Sequence, residues 1–180
     1  MRLEADARIA FPRETVYSAY RDRLPELVPY LPNVRAIRVE RRDDYPGEGR
    51  AELVNVWEAQ AEVPKLLQSF VKPDALGWVD RAEWNGPLWT CDWRIEPRVF
   101  TDNVRCWGKN TYREVGPEET VLEIRGELEV DPSGIPGVPK MLAGKVAPSV
   151  EKFVVNLIRP NLLSVAEGLE RFLEAERSRS

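Results

Sequence analysis

The spacing of hydrophobic positions changes along the chain between a period of two and a period near 3.6, and those changes predict its elements. Residues 2 to 11 alternate. Leu3, Ala5, Ala7, Ile9 and Phe11 share one face, and Arg2, Glu4, Asp6 and Arg8 share the other, the pattern of a half-buried strand. Pro12 ends it, and residues 13 to 23, carrying Val16, Tyr17 and Tyr20, predict a short helix. The next stretch, LPELVPYLPN, holds three prolines, which leaves room for one short helical turn and an extended piece. A strand over 34–42, a turn at Asp43-Asp44-Tyr45-Pro46-Gly47 and a strand over 50–60 make a hairpin. Residues 63 to 71, VPKLLQSFV, place Leu66, Leu67 and Phe70 at helical spacing before Pro73. Four more strands follow, over 75–84, 88–96, 103–114 and 120–131. In the last of these Leu122, Ile124, Leu128 and Val130 face one way, while Glu123, Arg125, Glu127 and Glu129 face the other.

The longest pattern comes at the end. From Ala147 to Arg179, Val150, Phe153, Val154, Leu157, Ile158, Leu162, Val165, Leu169, Phe172 and Leu173 recur every three or four residues as one stripe. Pro148 falls in what the pattern makes the first turn, where its missing N–H has no intrahelical partner to lose. Pro160 lies in the interior and costs roughly 3 kcal/mol in an unkinked helix. Burying about ten large side chains at roughly 1.5–3 kcal/mol each outweighs that several-fold. One long helix, bent at Pro160, is expected. The loop Pro132 to Pro139 and the lead-in Lys140 to Val146 are expected to be more mobile than the sheet.

Strands joined by short turns are antiparallel, and a sheet with one apolar face needs a cover. The expected architecture is therefore α+β. A curved antiparallel sheet of about seven strands wraps around the C-terminal helix, with two short helices after the first strand. No repeat or linker interrupts residues 1–180, which predicts a single domain.

Composition narrows the function. A formal charge of −4 argues against a nucleic-acid binder. No apolar run approaches the roughly 20 residues of a membrane span, and residues 1 to 10 lack the apolar core of a signal peptide, so a cytoplasmic location is expected. Histidine is absent, which removes the usual general base and the commonest metal ligand. Cys91 and Cys106 fall on adjacent strands and read as buried thiols. No metal and no cofactor is implied.

The layout resembles the START-like, Bet v 1-like superfamily of helix-grip proteins over essentially the whole chain. FPRETVYSAYRDRLPELVPYLPNVRAIRVERR is similar to the opening of its coenzyme Q-binding and polyketide-cyclase-like members. PKLLQSFV and PNLLSVAEGLERFL are similar to the phospholipid-shuttling PRELI group. The resemblance implies a cavity between sheet and helix that holds lipids, quinones, polyketides or other apolar molecules. In enzymatic members it also implies polar catalytic groups in that cavity.

The residues themselves point the same way. Strand parity puts Trp57 with Leu53 and Asn55, Trp78 with Asp80 and Trp84, and Trp93 with Cys91 and Ile95. On the next strand Cys106, Gly108, Asn110 and Tyr112 share a face. An aromatic wall with a few polar groups is the usual make-up of a ligand site, whereas Asn55, Asp80 and Asn110 are costly in a dry core without partners. The expected ligand-binding set is Asn55, Trp57, Trp78, Trp93, Asn110, Tyr112, Leu157 and Asn161. Lys140, Lys145 and Lys152 run along the start of the long helix, where they could meet anionic lipid headgroups in a transient membrane contact. Three functions remain open: a carrier or sensor of a hydrophobic or amphipathic small molecule, a cyclase- or dehydratase-type enzyme, and a ligand-free interaction module.

Overall fold

A computed structural model describes residues 1–69, 71–72, 75–131 and 140–179. Its sheet has seven strands, β1 (Arg2–Ile9), β2 (Val34–Tyr45), β3 (Arg50–Ala59), β4 (Gly77–Asn85), β5 (Thr90–Pro97), β6 (Val104–Gly116) and β7 (Glu119–Val130). They lie in the order β1-β7-β6-β5-β4-β3-β2, every neighbouring pair antiparallel. Between the edge strands β1 and β2 run α1 (Arg13–Asp22) and a 3-10 segment, Leu24–Tyr30. The chain closes with α2, Lys140–Arg177. The fold is the expected helix grip, with the two short helical pieces in their expected places.

The alternation read from β1 and β7 matches their burial: Leu3, Ile9, Leu122, Ile124 and Leu128 are buried and the charged partners face out. The stripe on α2 is buried as well, with Leu162 partly so. Two register shifts in the β2–β3 pair, at Val34/Ala36 and Val39/Arg41, add local bend and twist to that edge of the sheet.

Several boundaries differ from the sequence reading. The β2–β3 turn is tighter, because Asp43 and Asp44 belong to β2, opposite Glu52 and Ala51. Arg41 and Arg42 neutralise them at 2.8 Å each, and the chain reverses through Pro46–Gly49, with Gly49 at φ 63°. The helix expected over 63–71 reduces to one 3-10 turn, Lys65–Leu67. Leu67 is fully buried, Leu66 is half exposed, and Phe70 lies outside the described residues. Eight residues between Pro64 and Pro73 are too few to offset the cost of nucleating an α-helix.

The final helix begins at Lys140 rather than Ala147. Pro148 is therefore an interior residue, and α2 runs continuously through both Pro148 and Pro160. Lys, Met, Leu and Ala in 140–146 are strong helix formers, so propensity extends the helix upstream of the proline. The loop 132–139, expected to be mobile, lies outside the described residues.

The two halves of α2 are held differently. Its C-terminal half is fastened to the 3-10 segment. Arg23 is ion-paired to both Glu26 and Glu176, Tyr30 meets Phe172 edge-on at 5.9 Å, and Leu31 sits where a Cβ on Gly168 would fall. The N-terminal half instead borders an open groove of about 310 Å³ against residues 61–64. Among the described residues no helix is long and apolar enough to cross a membrane.

Candidate functional site

The site is built from rows of side chains that cross the concave face of the sheet. One row pairs Trp57 with Trp78, their rings stacked 5.3 Å apart at 21°. The next pairs Asn55 with Asp80, and the Asn55 Nδ2 donates to the Asp80 Oδ2 at 3.1 Å. In the third row Trp93 on β5 has only small neighbours, Ala82 on β4, Gly108 on β6 and Gly126 on β7. The two glycines leave a slot. A Cβ on Gly108 would stand 2.4 Å from the Trp93 ring, and one on Gly126 would stand 2.7 Å away. The indole lies in that slot and donates its Nε1–H to the Asn110 Oδ1 at 2.9 Å. The fourth row carries Trp84, Cys91, Asn110 and Ile124.

These rows, with Tyr20 of α1 and Asn161, Leu162 and Val165 of α2, enclose a chamber of about 30 Å³. A volume of that size admits one or two water-sized groups. Six of the eight residues expected from the sequence line it: Asn55, Trp57, Trp78, Trp93, Asn110 and Asn161. Tyr112 does not, because it sits one row further along β6, beneath α1, edge-on to Tyr17 at 5.1 Å. Leu157 is buried on α2 one turn before Asn161 and lines the outer groove with Phe153 and Asn156 instead. The sequence reading left Tyr20 and Trp84 out of the set. Trp84 shares parity with Trp78 and could have been included, whereas Tyr20 reaches the chamber only through the way α1 crosses the sheet.

The chamber is apolar in area and polar at a few points. Burial pushes the Asp80 carboxyl up from 3.8 to about 6, against the opposing pull of the Asn55 amide and the Trp57 indole N–H. Trp57 Nε1 faces that carboxylate without meeting hydrogen-bonding geometry. Tyr20, half-buried beside Asp80, has its phenol raised well above 10.0, first by burial and then by that negative charge. The buried thiols are raised in the same way, Cys106 to about 12 and Cys91 well above 9.0. Hence Asp80 is the one chamber-lining group among the described residues that carries charge at neutral pH.

Among the described residues, four buried polar atoms at the chamber have no hydrogen-bond partner: Asn55 Oδ1, Asn161 Oδ1, Trp84 Nε1 and the Trp57 Nε1 already noted. Asn161 spends its Nδ2 on the Leu157 carbonyl of its own helix at 2.7 Å. The expected lipid-facing lysines lie elsewhere. Lys145 and Lys152 are exposed on the N-terminal half of α2, Lys152 on the rim of the groove, and the Lys140 side chain lies outside the described residues.

No protein-family model matches the sequence, and no curated protein matches it. Solved structures do match over nearly the full length. TTHA0849 of Thermus thermophilus is 23% identical, with 98% of this chain and 99% of that one covered at a TM-score of 0.66. The Zhui aromatase/cyclase of a Streptomyces species is 14% identical, with 100% and 96% covered at 0.68. A START superfamily protein of Mycobacterium smegmatis is 13% identical, with 97% and 98% covered at 0.53. Sheet order, the paired short helices and the long closing helix together give this chain the helix-grip fold, the fold it shares with these solved structures.

Proposed function

We propose that the chain binds, and so carries or senses, a compact apolar or aromatic molecule bearing a polar group, held in the chamber between the sheet and α2. The observation that carries this reading is the company Asp80 keeps. A carboxylate and two unsatisfied asparagine oxygens stand inside a wall of tryptophan, where a core built only for stability would hold hydrocarbon.

At about 30 Å³ the chamber is contracted, and a ligand needs it to widen. Access runs along the N-terminal half of α2. That half lacks the Arg23 clamp, contains Pro148 and ends next to Pro160, and brings the groove at Leu157 within one helical turn of Asn161. Long-chain lipids need far more widening than a planar ring does, which favours the compact ligand.

A second reading is favoured by Asp80 itself. Poised near pH 6, it is the right kind of group to move a proton in a cyclase- or dehydratase-type reaction in the same chamber. The likeness to an aromatase/cyclase fold is consistent with that chemistry without specifying it.

The test is a titration of delipidated protein with indole, naphthoquinone, fatty acids and phospholipids, followed by tryptophan fluorescence and Tm. Saturable quenching with a matching rise in Tm is expected for the planar aromatics, since a ligand that binds only the folded state stabilises it by mass action. No saturable quenching by any class below its micelle-forming range would make the chamber a packed core and leave the interaction module in its place.

A further inference from the structure

Resting on the chamber as a ligand site, we propose that the polar group it selects is a compact organic cation, an amine or quaternary ammonium, seated against Asp80 within the tryptophan cage. The charge balance of the chamber points to this. Among the described residues, no arginine or lysine lines it. The cation nearest in sequence, Arg81, is paired at 2.9 Å with Glu96 on the opposite face of the sheet.

The groups around Asp80 come from several elements. Asn55 and Trp57 approach from β3, Tyr20 from α1, Cys91 from β5 and Cys106 from β6, in the same cross-sheet row as Asp80, while Asn110 of β6 and Asn161 of α2 line the chamber with it. None of these is positive, and the titratable ones are held neutral by burial. Among the described residues a single hydrogen bond, from Asn55 Nδ2, reaches the carboxylate with good geometry. A half-buried carboxylate lining an apolar chamber without a countercharge is the kind of group a bound cation would complete.

The remaining groups match a cation in two further ways. Asn55 and Asn161 each use the amide N–H₂ elsewhere, on Asp80 and on the Leu157 carbonyl, which fixes their orientation and leaves both oxygens unspent. Together with Asp80 these are acceptors, suited to the N–H or polarised C–H groups of an ammonium; the orphan donors beside them are Trp84 Nε1 and Trp57 Nε1, and the latter already faces the Asp80 carboxylate. The walls are the indoles of Trp57, Trp78, Trp84 and Trp93, whose faces attract cations electrostatically. An anionic ligand would meet a like charge and acceptor atoms. A neutral hydrocarbon would leave the carboxylate as it is.

The test compares shape-matched pairs that differ in charge. Choline is set against 3,3-dimethylbutan-1-ol, and benzyltrimethylammonium against neopentylbenzene, each titrated into the full chain by tryptophan fluorescence with fold checked by circular dichroism. At about pH 8 the cations are expected to bind roughly tenfold tighter than their neutral partners. On lowering to about pH 5, through the range where Asp80 takes up a proton, that ratio should fall towards one. Asp80→Asn should flatten the ratio at both pH values. The wild-type pH series keeps the inference falsifiable if that variant folds poorly.

Neutral partners that bind as tightly as the cations at about pH 8, or a preference indifferent to pH, overturn the cation inference while leaving the chamber as a ligand site. Failure of both cations to bind also overturns it. The chamber reading itself falls only if the planar aromatics of the preceding test fail too.

Discussion

Asp80→Asn isolates the charge in the chamber while keeping its shape, since the new amide oxygen can still accept from Asn55 Nδ2. The folded carboxyl titrates near 6 and the reference value is 3.8, so between those values the native state binds more protons than the unfolded one. Stability from this group is therefore fully present below about pH 4 and is lost as pH rises through about 6. A displacement of about two pKa units corresponds to about 3 kcal/mol of destabilisation at neutral pH and above. The variant, which cannot ionise there, should be more stable than wild type by up to about that amount at pH 8. At about pH 4.5 the advantage should shrink by about 2 kcal/mol. Urea unfolding of both proteins across that range, read by circular dichroism, gives the difference directly and cancels the titration of every other group. A difference that stays flat with pH would refute the reasoning, because it would mean that Asp80 ionises in the folded chain as freely as in water. A difference growing towards low pH would refute its sign.

Gly108→Ala is expected to destabilise by about 1–3 kcal/mol and to shift tryptophan emission, because the added methyl would meet the Trp93 ring and the Arg125 carbonyl, each 2.4 Å away; an unchanged Tm would show that Trp93 does not depend on the slot. Reversing charge at Lys145 and Lys152, both exposed on α2, should weaken sedimentation with anionic vesicles by about 1 kcal/mol per lysine lost and leave neutral vesicles unaffected. Equal binding by wild type and variant would remove the membrane contact and leave the chamber untouched.

Periodicity carried most of the fold. The alternation in β1 and β7 and the stripe on α2 are long enough that one face had to be buried, and they are. It failed where the pattern was short or where two rules competed. Leu66, Leu67 and Phe70 have helical spacing, but the prolines around them leave a single 3-10 turn. At the start of α2, Pro148 reads as a first-turn residue, yet the propensity of residues 140–146 carries the helix past it. The chamber was legible by parity, which gives the face of a residue but not its partner. Parity placed Asn55, Trp57, Asp80 and Asn110 inward. It could not show that β3 and β4 align Asn55 with Asp80, or that Tyr112 falls one row too far and packs beneath α1. Register depends on contacts between strands, and a one-residue slip would have turned every one of these side chains outward.

The volume of the chamber and the charge of Asp80 have to be explained together. Trp93 lies flat because Ala82, Gly108 and Gly126 make room for it, so the small residues of that row serve to bring an indole down onto the sheet rather than to hollow it out. By that logic the interior is built for close packing, and a leucine at position 80, beside Trp78 and opposite Ile95, would continue it. Instead the chain holds a carboxylate there at a standing cost of about 3 kcal/mol, with no basic residue among the described ones lining the chamber to offset it. Such a cost in an otherwise consistent core is where function is expected to lie. A ligand that supplies the missing positive charge would recover that energy only when bound, so its binding would stabilise the native state most where Asp80 is ionised. The rise in Tm with a bound cation should accordingly be larger at about pH 8 than at about pH 5, whereas an uncharged ligand should raise it equally at both. A Tm shift indifferent to pH for both kinds of ligand would separate the carboxylate from binding and return Asp80 to the role of a tolerated polar residue in a packed core.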